Sequence, residues 1–532
     1  MLLVRLTDPL LPILASLLLA AFPGLLLDRE GHRRAAARWA LAACAAIVLL
    51  IDALVFAVGD DEVFYLADSW AAREGETSGA LPMRYLLFRP FLAPGLGPAA
   101  AVIAGRAFTC AVAIACGVLA WHMARRLSGR PDAAAAGVLA VLWLVTTAQM
   151  VFLRPEYFAC LFLLLGIACL VAPPLRWAPR TALVVGFAML TLAAATSHRQ
   201  AGFLLAALVL VLGQRATVPA RRVLSWAAGG IAAGAAPSLL YVARRDSLRS
   251  IWYWNWTFVV HHSWVQTEEV TAKFPLFVFL VGLAGCAWAL GGPGEPREVR
   301  AVGAFWAFAT MLAILVPFGG AYALGPWLVL SVVLGAVLSA RLLSSPPSPS
   351  ARRAYALVLG LVTAAPLLGP VGLRAVRPPF ALFTQTELLD WLHEVSAGGT
   401  VACVAPYHPI KARNAWRLWN AWWYCYLKDR RFNAWLNPGL GPMLRSGEPR
   451  VIEWDPWPEA SGYRNVLAYA VANGMVREEE VPEVSRRLAE NYNLVRWNRP
   501  GPERFGGSRF LVRRGTPLDG RVTVLSEYRI SP

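Results

Sequence analysis

Through its first 376 residues the chain alternates long apolar windows with short polar breaks, and that rhythm predicts helices crossing a bilayer. A helix rises about 1.5 Å per residue, so about 20 apolar residues cross the hydrocarbon. Such windows fall near 9–27, 38–58, 99–122, 133–151, 157–172, 181–196, 200–213, 223–242, 276–291, 301–317, 322–341 and 354–373, roughly twelve in all. From about residue 377 charges become frequent and the periodicity is mixed. Glu387 to Val395 has helical spacing, whereas Thr400 to Ala405, Phe510 to Val512 and Val522 to Leu525 read as short strands. The predicted fold class is an all-α polytopic membrane bundle of about twelve transmembrane helices over residues 1–376. A C-terminal soluble α/β domain over residues 377–532 follows it, long enough to bury its own core.

The polar breaks differ from one another. Residues 59–98 form the longest early loop, in which 60–75 predicts an amphipathic helix on the membrane surface and Gly75 to Gly79 a turn. Arginines crowd the breaks at 29–38, 125–130, 176–180, 215–222, 297–300 and 341–353, so these read as cytoplasmic. The alternate loops then face outward: 59–98, 197–199, 243–275 and everything after about 374. In a bacterial envelope that places the C-terminal domain in the periplasm and the bundle in the inner membrane.

Composition sharpens this picture. The chain of 532 residues is 57% hydrophobic and 16% charged, which excludes an ordinary soluble protein. Its formal net charge of +17 needs no nucleic acid, because positive cytoplasmic loops account for it. The run Leu10 to Leu27 resembles a signal peptide, but Arg5 is balanced by Asp8 and no small-residue cleavage site follows, so it reads as a retained span. Most cysteines lie in apolar runs as small core residues; Cys403 and Cys425 lie in the polar tail, where export would allow them to pair.

The candidate chemistry begins at Asp60-Asp61-Glu62, three carboxylates directly after the apolar run Trp39 to Val58. Carboxylates are costly in hydrocarbon, so the triplet marks where the chain surfaces. One reading is a helix start with a solvated cap. The other is catalytic: Asp61 or Asp60 takes a proton from an acceptor hydroxyl, or holds a divalent cation that does so. Within spans, Asp52 and Arg106 fall at similar depth on oppositely running helices and predict a structural ion pair. The outward loops carry Arg84, Arg89, Arg154, His198 and Arg199, where positive charge is least expected. Arginine forks match phosphate oxygens, so these residues predict a lipid-phosphate site against the alternative of helix caps and snorkelling chains. In the loop 243–275, His261-His262 beside Glu268-Glu269 is a possible metal pair; without helical ligand spacing, interfacial anchoring is the preferred reading. His408 and the aromatic run Trp416 to Tyr426 read first as structural.

These features together resemble the polyprenyl-phosphate-dependent GT-C glycosyltransferases, nearest the bacterial protein-mannosyltransferase and aminoarabinose-transferase relatives. The matching residues are Asp60-Asp61-Glu62 and Tyr65, the span from Arg106 to Ala124-Arg125-Arg126-Leu127, Arg154-Pro155-Glu156, Ser197 to Gly202, and the tail opening Glu387 to Leu392. Leu81-Pro82-Met83-Arg84-Tyr85 stands where some relatives carry His/Lys-Pro-Pro-Leu. The resemblance implies a GT-C-like bundle with its active site at the outer face. Its donor is a sugar on a polyprenyl phosphate, and its acceptor is an envelope lipid, glycan or protein. By that resemblance Asp61, with Glu62 or Asp60 supporting it, activates the acceptor hydroxyl or positions a metal, the outer basic residues hold the departing phosphate, and a single displacement inverts the sugar carbon. Two rival classes use the same features differently: a lipid-linked sugar flippase needs the basic cavity but no base, and a non-catalytic assembly partner needs neither.

Overall fold

The structure is a computed structural model that describes residues 53, 60–73, 82–129, 134–146, 150, 152–174, 176–214, 219–245, 276–292, 294–315, 324–344, 381–397, 399–403, 409–414, 439–454, 464–498 and 509–525. The described residues form two compact units: 53, 82–87 and 106–344 in the first, and 60–73, 88–105 and 381–525 in the second.

The apolar windows become helices. After α1 (Asp60–Arg73) and α2 (Pro82–Phe88) come α3 (Pro98–Ser128), α4 (Ala134–Thr146), α5 (Pro155–Val171), α6 (Pro179–Thr196), α7 (Gly202–Gln214), α8 (Ala220–Arg245), α9 (Leu276–Gly291), α10 (Arg297–Leu315) and α11 (Gly325–Ser344). The expected spans 9–27 and 354–373 lie outside the described residues, as does 38–58 apart from Ala53. Three described helices, α3, α6 and residues 220–243 of α8, are long and apolar enough to cross a membrane, and shorter apolar helices accompany them. The chain is a multi-pass membrane protein. On α3, Ile103, Phe108, Ile114 and Val118 are exposed, an apolar row suited to lipid contact.

Lipid supplies no hydrophobic force between helices, so packing depends on close backbone approach at small residues. In the first unit α5 and α6 cross where Gly166 and Gly186 face each other; a Cβ at Gly166 would lie 3.0 Å from the Gly186 carbonyl oxygen. On α8, Gly230 and Gly234 press so closely on α6 that a Cβ at each would lie 2.4 Å from the carbonyl oxygens of Val184 and Ala188 respectively. Indole donors in α10 and α11 find internal partners: Trp306 Nε1 donates to Ser331 Oγ (2.6 Å) and Trp327 Nε1 to Thr310 Oγ1 (3.0 Å). The far end of α3 is tied to the turn after α5, where Arg126 Nη2 donates to the Pro173 carbonyl (3.4 Å) and His122 Nε2 lies 3.1 Å from that of Ala172.

The second unit is built on a six-stranded sheet with order β2-β1-β3-β5-β4-β6. Its strands are β1 (Thr400–Ala402), β2 (Arg413–Asn414), β3 (Val451–Glu453), β4 (Tyr492–Trp497), β5 (Arg509–Arg513) and β6 (Val522–Val524). The β1 strand pairs parallel with β2 and β3, and the other pairings are antiparallel. Helix α12 (Ala381–Ser396) presents Leu388, Trp391, Leu392 and Val395 to Val401, Val451, Val495, Phe510 and Val512 in one core. The Trp391 ring lies 5.4 Å from that of Trp497 and 6.0 Å from that of Phe510. Smaller helices, α13 (Leu440–Ser446), α14 (Val466–Ala472) and α15 (Val481–Asn491), complete the described part of the tail.

Candidate acidic and basic sites

In the second unit Asp60, Asp61 and Glu62 form the first turn of α1. Carboxylates are favoured there because unpaired amides give a helix N-terminus partial positive charge. The Glu62 side chain is completely buried, far from the solvated-cap expectation for that residue. Four residues beyond Asp61, on the same helix face, Tyr65 packs at 5.8 Å against Phe88. Ser69 Oγ donates back to the Tyr65 carbonyl (2.7 Å), and Val63 and Leu66 are buried. The acidic turn thus stands on a helix fixed by packing. Among the described residues, no group of three or more His, Cys, Asp and Glu side chains gathers as a metal site. His261 and His262 lie outside the described residues, as do Asp52, His408 and Cys425.

In the first unit the basic residues collect where helices end. Arg154 is the extended residue before α5, followed by Pro155, whose missing N–H costs nothing at a first helical position. Glu156, in the same first turn, is 6% exposed and lies 3.7 Å from Arg154 Nε. The α6 helix ends at Thr196, and Ser197 leads into a 3-10 turn, His198–Gln200. Gly166 of α5 and Gly186 of α6 cross at similar distances from Arg154 and Thr196, so both termini lie at one end of the pair. From α2, Arg84 Nε donates to the Thr196 carbonyl (3.4 Å) at the negative end of α6. Beside it, Tyr85 stacks on Tyr241 of α8 at 5.6 Å.

The structure therefore brings Arg84, Arg154 and the His198–Gln200 turn to one end of the first unit. Two of these residues also do the work of the plainer reading, since Arg84 caps α6 and Arg154 pairs with Glu156. His198 is half-buried; Arg199 belongs to the same turn. Arg89 belongs instead to the second unit, in the exposed start of a 3-10 turn, Arg89–Leu92. Arg106, 2% exposed, donates from Nη1 to the Ala53 carbonyl (2.9 Å) and lies over the Phe152 ring at 5.1 Å. The carbonyl contact falls one residue beyond Asp52, the partner expected for Arg106.

Sequence reasoning missed Tyr241, whose aromatic ring looks like any interfacial anchor. It also missed Lys411 of the second unit, which reads as an ordinary solvated lysine. Lys411 Nζ donates to the carbonyls of Ala93 (2.7 Å) and Leu96. Asp390 had appeared only within the tail-opening motif; its Oδ1 accepts from the Ala99 N–H (3.0 Å) at the start of α3.

No family model matches the sequence, and no curated protein matches it either. Solved structures do. ArnT from Cupriavidus metallidurans in the apo state aligns with a TM-score of 0.51 at 14% identity, over 90% of this chain and 98% of that one. The same protein bound to undecaprenyl phosphate gives 0.50 at 14% identity, over 78% and 92%. The apo oligosaccharyltransferase of Archaeoglobus fulgidus gives 0.50 at 10% identity, over 92% of this chain and 76% of that chain. The chain has a GT-C-like fold.

Proposed function

We propose that the chain is a GT-C-type membrane glycosyltransferase that moves a sugar from a polyprenyl-phosphate donor to an envelope acceptor. The observation that carries the reading is an acidic triplet on the first turn of a packed helix, in a chain with the GT-C-like fold. A structural neighbour with that fold was solved with undecaprenyl phosphate bound, which supports a lipid-linked donor here. In this reading residues 1–376 are the membrane part and 377–532 a periplasmic domain of the bacterial inner-membrane protein. The acceptor is a lipid, a glycan or a protein.

Asp61 is the proposed base, with Asp60 and Glu62 supporting it. Its carboxylate takes the proton of the acceptor hydroxyl as that oxygen bonds to the sugar carbon. The bond from that carbon to the phosphate oxygen breaks, and the polyprenyl phosphate leaves with the electron pair. One displacement inverts the carbon. A phosphate leaving group needs its charge met more than it needs a proton, and Arg84, Arg154, His198 and Arg199 are the proposed ligands, with Arg89 as a further candidate.

The test is transfer from a panel of radiolabelled polyprenyl-phosphate sugars into membranes, comparing wild type with Asp61→Asn. Asparagine keeps the shape and removes the base, so transfer should fall by about a hundredfold or more. Parallel assays with EDTA distinguish direct proton abstraction, which survives chelation, from cation-assisted attack, which does not. Undiminished transfer by Asp61→Asn removes Asp61 from its role, and a wild type that transfers from no donor overturns the reading.

A further inference from the structure

The five residues before α3 form a short turn whose backbone groups are gripped by side chains from the tail of the sequence. Leu96 N–H donates to the Ala93 carbonyl (3.0 Å) and closes the turn. Lys411 reaches the Ala93 and Leu96 carbonyls together, while Asp390 takes the Ala99 amide. A cation therefore holds the acceptors of this segment and an anion holds a donor, as their charges require. The fit is close: a Cβ at Gly97 would lie 3.3 Å from Asp390 Oδ1.

The position of Lys411 is itself imposed. Ile410 is completely buried and has φ +54°, a region that β-branched residues avoid. Lys411 N–H turns back to the Pro409 carbonyl (2.5 Å) across it. Such strain persists only where surrounding structure fixes it, and it is a reason to look for a role. Asp390 stands on α12 beside Trp391, whose ring is locked in the sheet core, so the other half of the grip is also rigid.

The gripped turn leads back to the acidic helix. Immediately before it, Phe91 and Leu92 are buried, and Phe88 is the residue against which Tyr65 packs. One helical turn before Tyr65 is Asp61. We infer that Lys411 and Asp390 are positioning residues, a clasp through which the sheet of the second unit fixes residues 88–99 and so holds the acidic first turn of α1 in its working orientation. The inference rests on the reading of Asp61 as the base, and it extends that reading to two residues that touch neither substrate nor the reacting atoms.

The experiment uses the full chain in lipid nanodiscs, with Lys411→Met, Lys411→Arg, Asp390→Asn and the Lys411→Met/Asp390→Asn double variant. Hydrogen exchange is followed in 60–66, 88–102 and the β4–β5 strands, alongside kcat and KM for the lipid-linked donor. A misplaced base slows the chemical step, so Lys411→Met and Asp390→Asn should each lower kcat by about tenfold or more with donor KM within about twofold. Exchange should quicken in 60–66 and 88–102 and stay unchanged in β4–β5. Lys411→Arg keeps the charge and donors and should recover most of the activity. The double variant should lose much less than the product of the single losses, because both residues act on one segment. Unchanged exchange in 60–66, or losses confined to KM, overturns the clasp, as does faster exchange throughout β4–β5 in the milder Asp390→Asn. If wild type transfers from no donor the enzyme reading fails instead, and exchange in 60–66 alone still decides whether the clasp exists.

Discussion

A half-buried arginine close to a buried carboxylate has two futures when a phosphate arrives: it remains paired or it turns to the stronger anion. Arg154 and Glu156 are in this position, 3.7 Å apart with side chains mostly shielded from water. Glu156→Gln removes the competing charge and keeps the shape. Retention of a polyprenyl phosphate by the purified protein should rise about severalfold, and Arg154→Gln should weaken it by about tenfold or more. A binding series across salt concentrations, with thermal unfolding as a control, reads both; weaker binding in Glu156→Gln would make Glu156 a support of the site and not a competitor. Two residues of the second unit test its stability. Burial, and then the nearby Lys411 charge, lower the His393 pKa from its usual value near 6.5, against the pull of Asp390 and Glu394. The unfolded chain then binds the extra proton more readily, so His393 costs the unit nothing above about pH 6.5 and destabilises it as pH falls below that. His393→Gln should flatten the pH dependence of unfolding in that acidic window. Tyr492, its pKa pushed up to about 12 chiefly by burial, has its hydroxyl between the carbonyls of Gly447 (2.9 Å) and Pro449 (2.6 Å). Tyr492→Phe should cost about 1 kcal/mol in denaturant unfolding.

At the scale of elements, what was legible followed from periodicity and what was not followed from packing. The windows from 99–122 to 322–341 became helices with ends moved by a few residues, because an unbroken apolar run is a strong signal that ends only at polar breaks. In the tail, α12 and β5 were readable from their spacing, whereas β2, with two residues, and the seven-residue α13 and α14 are too short for any period to show. The adjacent Gly229 and Gly230 illustrate the same limit inside a span. Both look like small residues in an apolar run, yet a Cβ at Gly230 meets the α6 backbone at 2.4 Å and one at Gly229 meets nothing within 4 Å. Gly230→Ala and Gly234→Ala should therefore force α8 from α6 and lower thermal stability in detergent by several degrees or more, about the effect of 1–3 kcal/mol of overpacking. Gly229→Ala should leave it unchanged. Equal effects at 229 and 230 would mean that the α6–α8 contact is not the one described.

At the scale of the whole molecule, the chemistry was legible as residue types but not as supports. Carboxylates after an apolar run announce themselves because charge is rare there, and the basic outer turns do so for the same reason. Lys411 and Asp390 announce nothing, since their partners are backbone groups that every residue possesses and that lie 291 or more positions away in sequence. That separation has a consequence for folding. Residues 60–73 and 88–105 belong to the same compact unit as residues 381–525, which are made about 300 residues later, so the acidic helix should depend on them. A chain ending at residue 377 should insert and keep α5, α6 and α8 packed, because their contacts at Gly166, Gly186, Gly230 and Gly234 are internal to the first unit. Residues 93–99, which follow the Phe88 against which α1 packs, lose the Lys411 and Asp390 hydrogen bonds. Limited trypsin digestion should then cut at Arg73 at least about tenfold faster than in the full chain, while the α5–α6–α8 region stays protected. Equal cleavage rates in the two proteins would show that the acidic helix is held without the tail.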